Sequence, residues 1–243
     1  MERFKMKLKR IRRRLKRYIK NHWFLMKYHY SRPGTAHWLI KTEIKYGGFH
    51  SGLHRNKVST FDPRTDEQIK KGGMRGGDRM LHHNYANKYA EYLRPFINQT
   101  GPLILIEVGI LRGTGLAIWS ELFNNARIVG VDIDLGHIQD NMDNLINKGA
   151  FRNGQPELYE FDQFKDNTEF FNNLLKDHKI DIFIDDGCHT NEAILKTFSN
   201  VLPYLAEKFV YLVEDNKEVH SEIKILYPQL LIDNCGQLTI INR

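Results

Sequence analysis

The sequence is poor in cysteine and has no long apolar run. Two cysteines, Cys188 and Cys235, occur in 243 residues, which argues against a disulfide scaffold and fits a reducing compartment. No apolar segment approaches the length of a membrane span, and no signal-peptide core follows the basic start. Neither CxxC nor HExxH occurs, so the common zinc signatures are missing. These absences predict a cytoplasmic protein.

The positive charge of the chain is concentrated at its start. The net charge is +7, yet residues 1–20 contain eleven Lys or Arg and one Glu, a net +10. The rest of the chain therefore carries a net −3 and is mildly acidic. Hydrophobic residues make up 41% and charged residues 27% of the chain, which fits one domain with a sizeable core plus appendages.

Residues 1–30 predict a basic amphipathic helix. One helical stripe contains Phe4, Leu8, Ile11, Leu15, Tyr18 and His22, and the aromatic residues Trp23, Phe24 and Tyr28 follow it. A basic helix with an apolar stripe favours contact with an anionic membrane surface, which would place the protein peripherally at the inner face of the membrane. A solvated arm and a helix that docks on a partner protein are the alternatives. Nucleic acid is less favoured, because the rest of the sequence contains no nucleic-acid-reading module.

Residues 31–80 are rich in glycine and predict a lid or loop region, in which only residues 36–46 have a regular pattern. Residues 81–97 predict a helix that packs on a sheet. His82 and His83 open that segment, but adjacent residues of a helix point apart, so a shared metal ion is not expected.

Residues 103–134 predict a strand, a glycine turn, a helix and a second strand. The first strand is a nearly continuous apolar run, which is typical of a parallel strand buried on both faces. The glycines follow the spacing GxxxGxG rather than the GxGxxG of dinucleotide enzymes. Glu107 at the strand end would repel a pyrophosphate but suits an ammonium or hydroxyl group. This favours S-adenosylmethionine (SAM), although a glycine turn in another doubly wound protein is the alternative.

This unit, EVGILRGTGLAIW followed by GVDID, resembles the first motif of class I SAM-dependent methyltransferases. The resemblance implies a Rossmann-like α/β fold: a doubly wound, mostly parallel sheet of about seven strands with an antiparallel C-terminal hairpin. It assigns Glu107, Gly109 and Gly113 to the methionine end of SAM, Asp132 to the ribose hydroxyls, and Asp162 with Gln163 to the adenine.

Two further predicted strands, at 180–184 and 209–213, end in clusters of acids. The first delivers Asp185, Asp186 and His189, and the second delivers Glu214 and Asp215. The carboxyl ends of parallel strands meet at one edge of a sheet, where close carboxylates repel by about 1–4 kcal/mol per pair. A hard cation relieves that repulsion, Mg²⁺ first and Mn²⁺ or Ca²⁺ next. A histidine beside it is suited to be a general base, whereas acids that only cap helices are the alternative.

The segments IDDGCH and VEDN, together with the glycine motif, resemble the Mg²⁺-dependent sugar O-methyltransferases of macrolide biosynthesis and the related cephalosporin-biosynthesis family, from about residue 76 onward. The resemblance implies that Asp186, Glu214 and Asp215 hold the metal and that His189 is the base, with Asp185 as an alternative ligand. Cys188 stands where the family has Ser. The PGG turn that usually precedes the second acid pair is absent.

The sequence therefore predicts a methyltransferase domain at residues 81–243 that uses SAM and Mg²⁺ (or Mn²⁺) to methylate a hydroxyl of a saccharide. The basic helix favours a lipid-linked or surface glycan as the acceptor. A soluble small-molecule acceptor, or a catalytically silent SAM-binding partner in a glycan-assembly complex, is the alternative. The sequence leaves open whether the chain forms a homo-oligomer.

Overall fold

The structure, a computed structural model, describes residues 2–27, 29–47, 65–67, 77–99 and 101–243. The helices are α1 (Glu2–Lys27), α2 (Ala36–Tyr46), α3 (Ala86–Ile97), α4 (Thr114–Leu122), α5 (Gly136–Gln139), α6 (Met142–Asn147), α7 (Thr168–Leu175), α8 (Asn191–Val201) and α9 (Val219–Leu226). The strands are β1 (Leu103–Val108), β2 (Ala126–Asp132), β3 (Glu157–Glu160), β4 (Ile180–Asp185), β5 (Leu205–Val213), β6 (Leu231–Cys235) and β7 (Leu238–Asn242). Within these ranges no helix has the length and apolarity that crossing a membrane requires.

The described strands form one sheet in the order β3-β2-β1-β4-β5-β7-β6. Strands β1 to β5 pair in parallel, and β7 runs antiparallel to both β5 and β6. The strand order reverses between β1 and β4, and ligands of doubly wound sheets bind at the carboxyl ends of the strands beside such a switch point. The predicted fold class, including the antiparallel C-terminal hairpin, is confirmed.

Helices cover both faces of the sheet because the central strands are apolar on both faces. Every residue of β1 is buried, and alternate side chains of a strand enter opposite faces. Leu105 packs with α2, α3 and α4 on one face, whereas Ile104 and Ile106 pack with α7, α8 and α9 on the other. Because β1 packs against a core on each face, its carboxyl end has a fixed position in the sheet.

Two predicted helices have different bounds in the structure. The helix predicted at 81–97 begins at Ala86, because the backbone N–H groups of His82 and His83 both donate to the Asp78 carbonyl in a turn that precedes it. The helix predicted near 137–147 is divided into α5 and α6. At the division, Asn141 exchanges side-chain hydrogen bonds with Arg112 of the glycine loop.

Part of the predicted lid region belongs to the folded body. The regular stretch predicted at 36–46 is confirmed as α2, which packs on α3 and α4. The buried carboxylate of Glu43 accepts the backbone N–H groups of Met80 and Leu81, at 2.8 and 3.1 Å. Gly47 and Gly77 lie against each other, since a Cβ on Gly77 would be 2.8 Å from the Gly47 carbonyl carbon. Residues 48–64 and 68–76 lie outside the described residues, so the lid itself stays a prediction.

Replacement of Gly109 by alanine tests the turn that follows β1. Gly109 has φ of +81°, and a Cβ there would lie 2.0 Å from the Asp186 carbonyl oxygen. We expect Gly109→Ala to lower the free energy of unfolding, measured in urea, by about 2 kcal/mol or more. Gly101→Ala is the control, because no described atom lies within 4 Å of its Cβ. Equal losses in the two variants would contradict the close approach.

The buried carboxyl group of Glu43 is expected to make the free energy of unfolding fall as the pH rises. Burial raises its pKa from 4.5 to about 7, although the Met80 and Leu81 amides oppose this rise. The folded state therefore holds a proton that the unfolded chain releases, so this contribution to stability is complete below about pH 4.5 and is lost as pH rises through about 7. We expect Glu43→Gln to flatten the fall in unfolding free energy over that range, by up to about 1.4 kcal/mol per pH unit. The exposed Glu91→Gln serves as control and should leave the profile unchanged.

Candidate active site

The loops that follow β1, β4 and β5 are strained at the same edge of the sheet. Leu111, His189 and Asp215 adopt left-handed backbone conformations, with φ of 41°, 60° and 55°. Such conformations are uncommon for residues other than glycine and are enriched at functional sites. The strain therefore coincides with the edge at which the sequence predicts an active site.

Three predicted site residues meet at this edge. Each of Asp186, His189 and Asp215 offers one ligand atom, and these atoms lie within 4.8 Å of one another. All three residues are partly exposed, so the group is open to solvent. The two carboxylates fit a hard divalent ion with room for an oxygen ligand from outside the protein, and the imidazole lies beside them.

His189 is held in a defined orientation. Its Nδ1 lies 3.3 Å from the carbonyl oxygen of Glu214, and its Nε2 lies 3.9 Å from Oδ1 of Asp186. The side-chain amide of Asn216 donates to the carbonyl oxygen of His189 at 2.9 Å and so braces its strained backbone. An Nδ1–H that donates to Glu214 leaves Nε2 as the free acceptor facing the cluster.

Asp185 does not belong to this group. Successive residues of a strand point to opposite faces, and Asp185 is buried and accepts hydrogen bonds from Gln163 Nε2 (2.9 Å) and the Tyr211 hydroxyl (3.1 Å). Gln163 is equally engaged, because it also donates to Thr197 and accepts from the Cys188 amide. The predictions of Asp185 as an alternative metal ligand and of Gln163 as an adenine contact therefore lack support in this geometry: both side chains brace the β4 loop.

Glu214 turns inward rather than toward the open group. It is 2% exposed, it accepts a short hydrogen bond from the Tyr89 hydroxyl, and it lies 2.5 Å from Nε of Arg79. Burial raises the pKa of Glu214 and that of Asp186 to about 8, and the Arg79 guanidinium opposes this rise in both.

Arg79 is a site residue that the sequence reasoning missed. Its guanidinium is almost fully buried and also contacts Glu107 at 2.6 Å and Asp186 at 2.9 Å. Glu107 is thereby paired inside the protein, since its other oxygen accepts from Trp119 Nε1 at 2.8 Å. The available signal was the segment DRMLHHNY before the glycine motif, but Arg79 precedes β1 by more than twenty residues and nothing in its spacing indicates a contact with these acids.

Of the remaining predicted cofactor residues, Gly113 and Asp132 lie at the glycine loop and Asp162 lies apart from it. Gly113 has φ of 75° at the start of α4, and Asp132 accepts the amide of Leu111 at 3.0 Å. A cavity beside the loop joins it to the acid cluster; its lining includes Gly109, Leu111, Arg112, Gly115, Asp186 and Asp215. Asp162 accepts the Phe164 amide within its own turn, and no described contact joins it to this cavity.

Known proteins that are similar to this chain are methyltransferases by name. Residues 106–216 match the family model described as "Methyltransferase domain". The 8-demethyl-8-alpha-L-rhamnosyl tetracenomycin-C 2'-O-methyltransferase of Streptomyces olivaceus is 27% identical over 146 residues, 58% of this chain and 35% of the relative. The mycinamicin VI 2''-O-methyltransferase of Micromonospora griseorubida is 26% identical over 140 residues, 55% of this chain and 31% of the relative. The chain thus spans about a third of the length of these relatives.

A solved structure shows the same fold. The MycE methyltransferase from the mycinamycin biosynthetic pathway, in complex with Mg, SAH and mycinamycin VI, aligns with a TM-score of 0.50 at 18% identity, over 66% of this chain and 50% of that chain. Both the matched family model and this fold agree with the resemblance stated from the sequence. Residues 106–216 therefore match a methyltransferase family model, and the prediction of a Rossmann-like class I methyltransferase fold is confirmed.

Proposed function

We propose that the chain is a SAM- and divalent-metal-dependent O-methyltransferase that methylates a hydroxyl of a saccharide. The observation that carries this proposal is the meeting of Asp186, His189 and Asp215 beside the glycine loop. The relatives named above are sugar O-methyltransferases by name, and the MycE complex contains Mg and SAH, which supports both cofactors.

The acids of the site hold the metal and position the acceptor. Asp186 and Asp215 present oxygens to the open group, and Glu214 lies beside them on the same loop as Asp215. A divalent ion held by these acids would lower the pKa of an acceptor hydroxyl and fix its orientation. Nε2 of His189 is placed to take the proton of the acceptor hydroxyl, because Nδ1 faces the Glu214 carbonyl.

The glycine loop binds SAM. Gly109 and Gly113 allow the close backbone approach of the methionine end, and Asp132 accepts from the ribose hydroxyls. Glu107 acts indirectly in this proposal, because Arg79 and Trp119 already occupy its two oxygens. Contact of Asp162 with the adenine remains a prediction.

The structure of α1 supports an acceptor carried on a membrane, such as a lipid-linked or surface glycan. The apolar stripe of α1 is 43–62% exposed and consists of Leu8, Ile11, Leu15, Tyr18, Ile19, Trp23 and Met26. Phe24 and Leu25 pack on the core and attach the helix to the body. An exposed stripe on a helix that contains twelve Lys or Arg suits anionic lipid. A soluble acceptor remains the alternative, since the relatives named above act by name on a rhamnosyl tetracenomycin and on mycinamicin VI.

Methyl transfer to simple glycosides tests the enzymatic proposal. With isotope-labelled SAM and a panel of methyl rhamnosides and other methyl glycosides, we expect transfer by the wild type with Mg²⁺ and none with chelator. His189→Gln should bind SAM as the wild type does, by calorimetry, yet transfer methyl at least a hundredfold more slowly, because it removes only the base.

His178→Gln is the matched control, since His178 is exposed and remote from the cluster. Asp132→Ala should lose SAM binding itself. Absence of SAM binding by the wild type, with or without metal, would contradict the methyltransferase proposal and would favour a silent docking partner.

Vesicle co-sedimentation tests the membrane proposal. We expect the full chain to bind vesicles of phosphatidylglycerol and phosphatidylcholine, and not pure phosphatidylcholine. Leu15→Asp should weaken this binding at least tenfold, because it removes an apolar contact and adds a negative charge. Ile225→Asp makes the same change at an exposed apolar residue outside α1 and should have no effect. Equal binding by both variants, or a preference for RNA, would contradict membrane contact.

A further inference from the structure

The Arg79 guanidinium occupies the centre of a ring of acids. Nη2 lies 2.6 Å from Glu107 Oε1 and 2.9 Å from Asp186 Oδ2, and Nε lies 2.5 Å from Glu214 Oε1. The Arg79 side chain is 9% exposed, and those of Glu107 and Glu214 are 2% and 3% exposed. One buried cation therefore contacts three carboxylates, so the negative charge of the ionised acids exceeds the positive charge of the guanidinium.

Two of these carboxylates also belong to the proposed metal site. Asp186 directs Oδ2 to Arg79 and Oδ1 toward His189 and the open group. Glu214 is the neighbour of Asp215 in the chain, but its oxygen faces Nε of Arg79 and the Tyr89 hydroxyl. Nε of Arg79 makes a close ionic contact with Glu214 yet has no aligned hydrogen-bond acceptor among the described residues. The contact between Arg79 Nε and Glu214 is thus an ion pair without an aligned N–H···O geometry.

The surroundings hold the guanidinium in this position. It lies over the stacked rings of Tyr89 and Trp119, at 5.9 and 5.6 Å from their centroids. Gly115 makes the space for it, because a Cβ there would lie 2.6 Å from Nη1 of Arg79 and 2.2 Å from the Glu107 carboxylate. Glu43 fixes the next two backbone amides. The position is therefore built into the fold.

We propose that Arg79 is a resident cation that competes with the divalent ion for Asp186 and Glu214. This inference rests on the proposed metal dependence. In the metal-free protein the guanidinium offsets part of the repulsion among the three acids and keeps the edge of the sheet assembled. Binding of a divalent ion draws Glu214 and Asp186 away from the guanidinium, which stays paired with Glu107. Arg79 is thus a positioning residue that sets the affinity for metal.

Mn²⁺ binding, followed by electron paramagnetic resonance of the free ion, tests this competition. Arg79→Met removes the competing charge, so we expect it to bind Mn²⁺ at least tenfold more tightly than the wild type. Arg79→Lys keeps the charge and should stay within threefold of the wild type. Arg127→Met breaks an ion pair with Glu157 on the β2–β3 edge and should leave Mn²⁺ affinity unchanged.

Thermal unfolding gives a readout that a purely structural role would not produce. The metal-free Arg79→Met protein should melt below the wild type, and Mg²⁺ should raise its melting temperature by more than it raises that of the wild type. In the wild type, Mg²⁺ should change the fluorescence of Trp119, since the guanidinium lies over its ring, and Trp119→Phe should abolish that change.

If Arg79→Met binds Mn²⁺ no more tightly than the wild type does, the proposed competition is wrong. If that variant does not fold, a wild type that binds Mg²⁺ with no change in Trp119 fluorescence overturns it. Failure of the wild type to bind Mn²⁺ overturns the proposed metal dependence itself, and the inference with it. A failure of the competition is thus seen in the Arg79→Met variant or in the Trp119 fluorescence, whereas a failure of metal dependence is seen as the absence of Mn²⁺ binding by the wild type.

Discussion

The structure of the site depends on the pairing of one buried guanidinium with three carboxylates. Burial of unpaired carboxylates is costly, and Glu107, Asp186 and Glu214 come from the ends of three strands. Arg79 offsets that cost and so lets the ends of β1, β4 and β5 converge. Three carboxylates surround this single guanidinium, which makes the same edge receptive to a second cation.

The strained loops at this edge follow from the same packing. In the loop that follows β5, the side chain of Glu214 is buried and that of Asp215 is partly exposed. The left-handed backbone of Asp215 accompanies this change of direction. His189 adopts a similar conformation and is held by Asn216, which also accepts the amides of Glu218 and Val219 near the start of α9. A single asparagine therefore links the proposed base to the helix that packs beneath it.

Local patterns predicted most of the fold and the open part of the site. The apolar runs that end at Val108, Ile184 and Val213 are buried parallel strands, as expected. Since the carboxyl ends of such strands meet, the sequence also predicted that Asp186, His189 and Asp215 come together. The assignment between Asp185 and Asp186 could not be made, because a shift of one residue in the strand end reverses the face on which each side chain lies.

Short-range periodicity and residue type were enough to predict the fold class, the glycine turn, the basic helix and the identity of the acids. Which acids are free and which are paired depends instead on contacts between distant parts of the chain. Arg79 and Glu43 precede β1 in the chain and reach the site through the packing of α2 on α3 and α4. Contacts between residues so far apart in the chain leave no periodic signal, so the inward turn of Glu214 toward Arg79 appears only when the chain is folded.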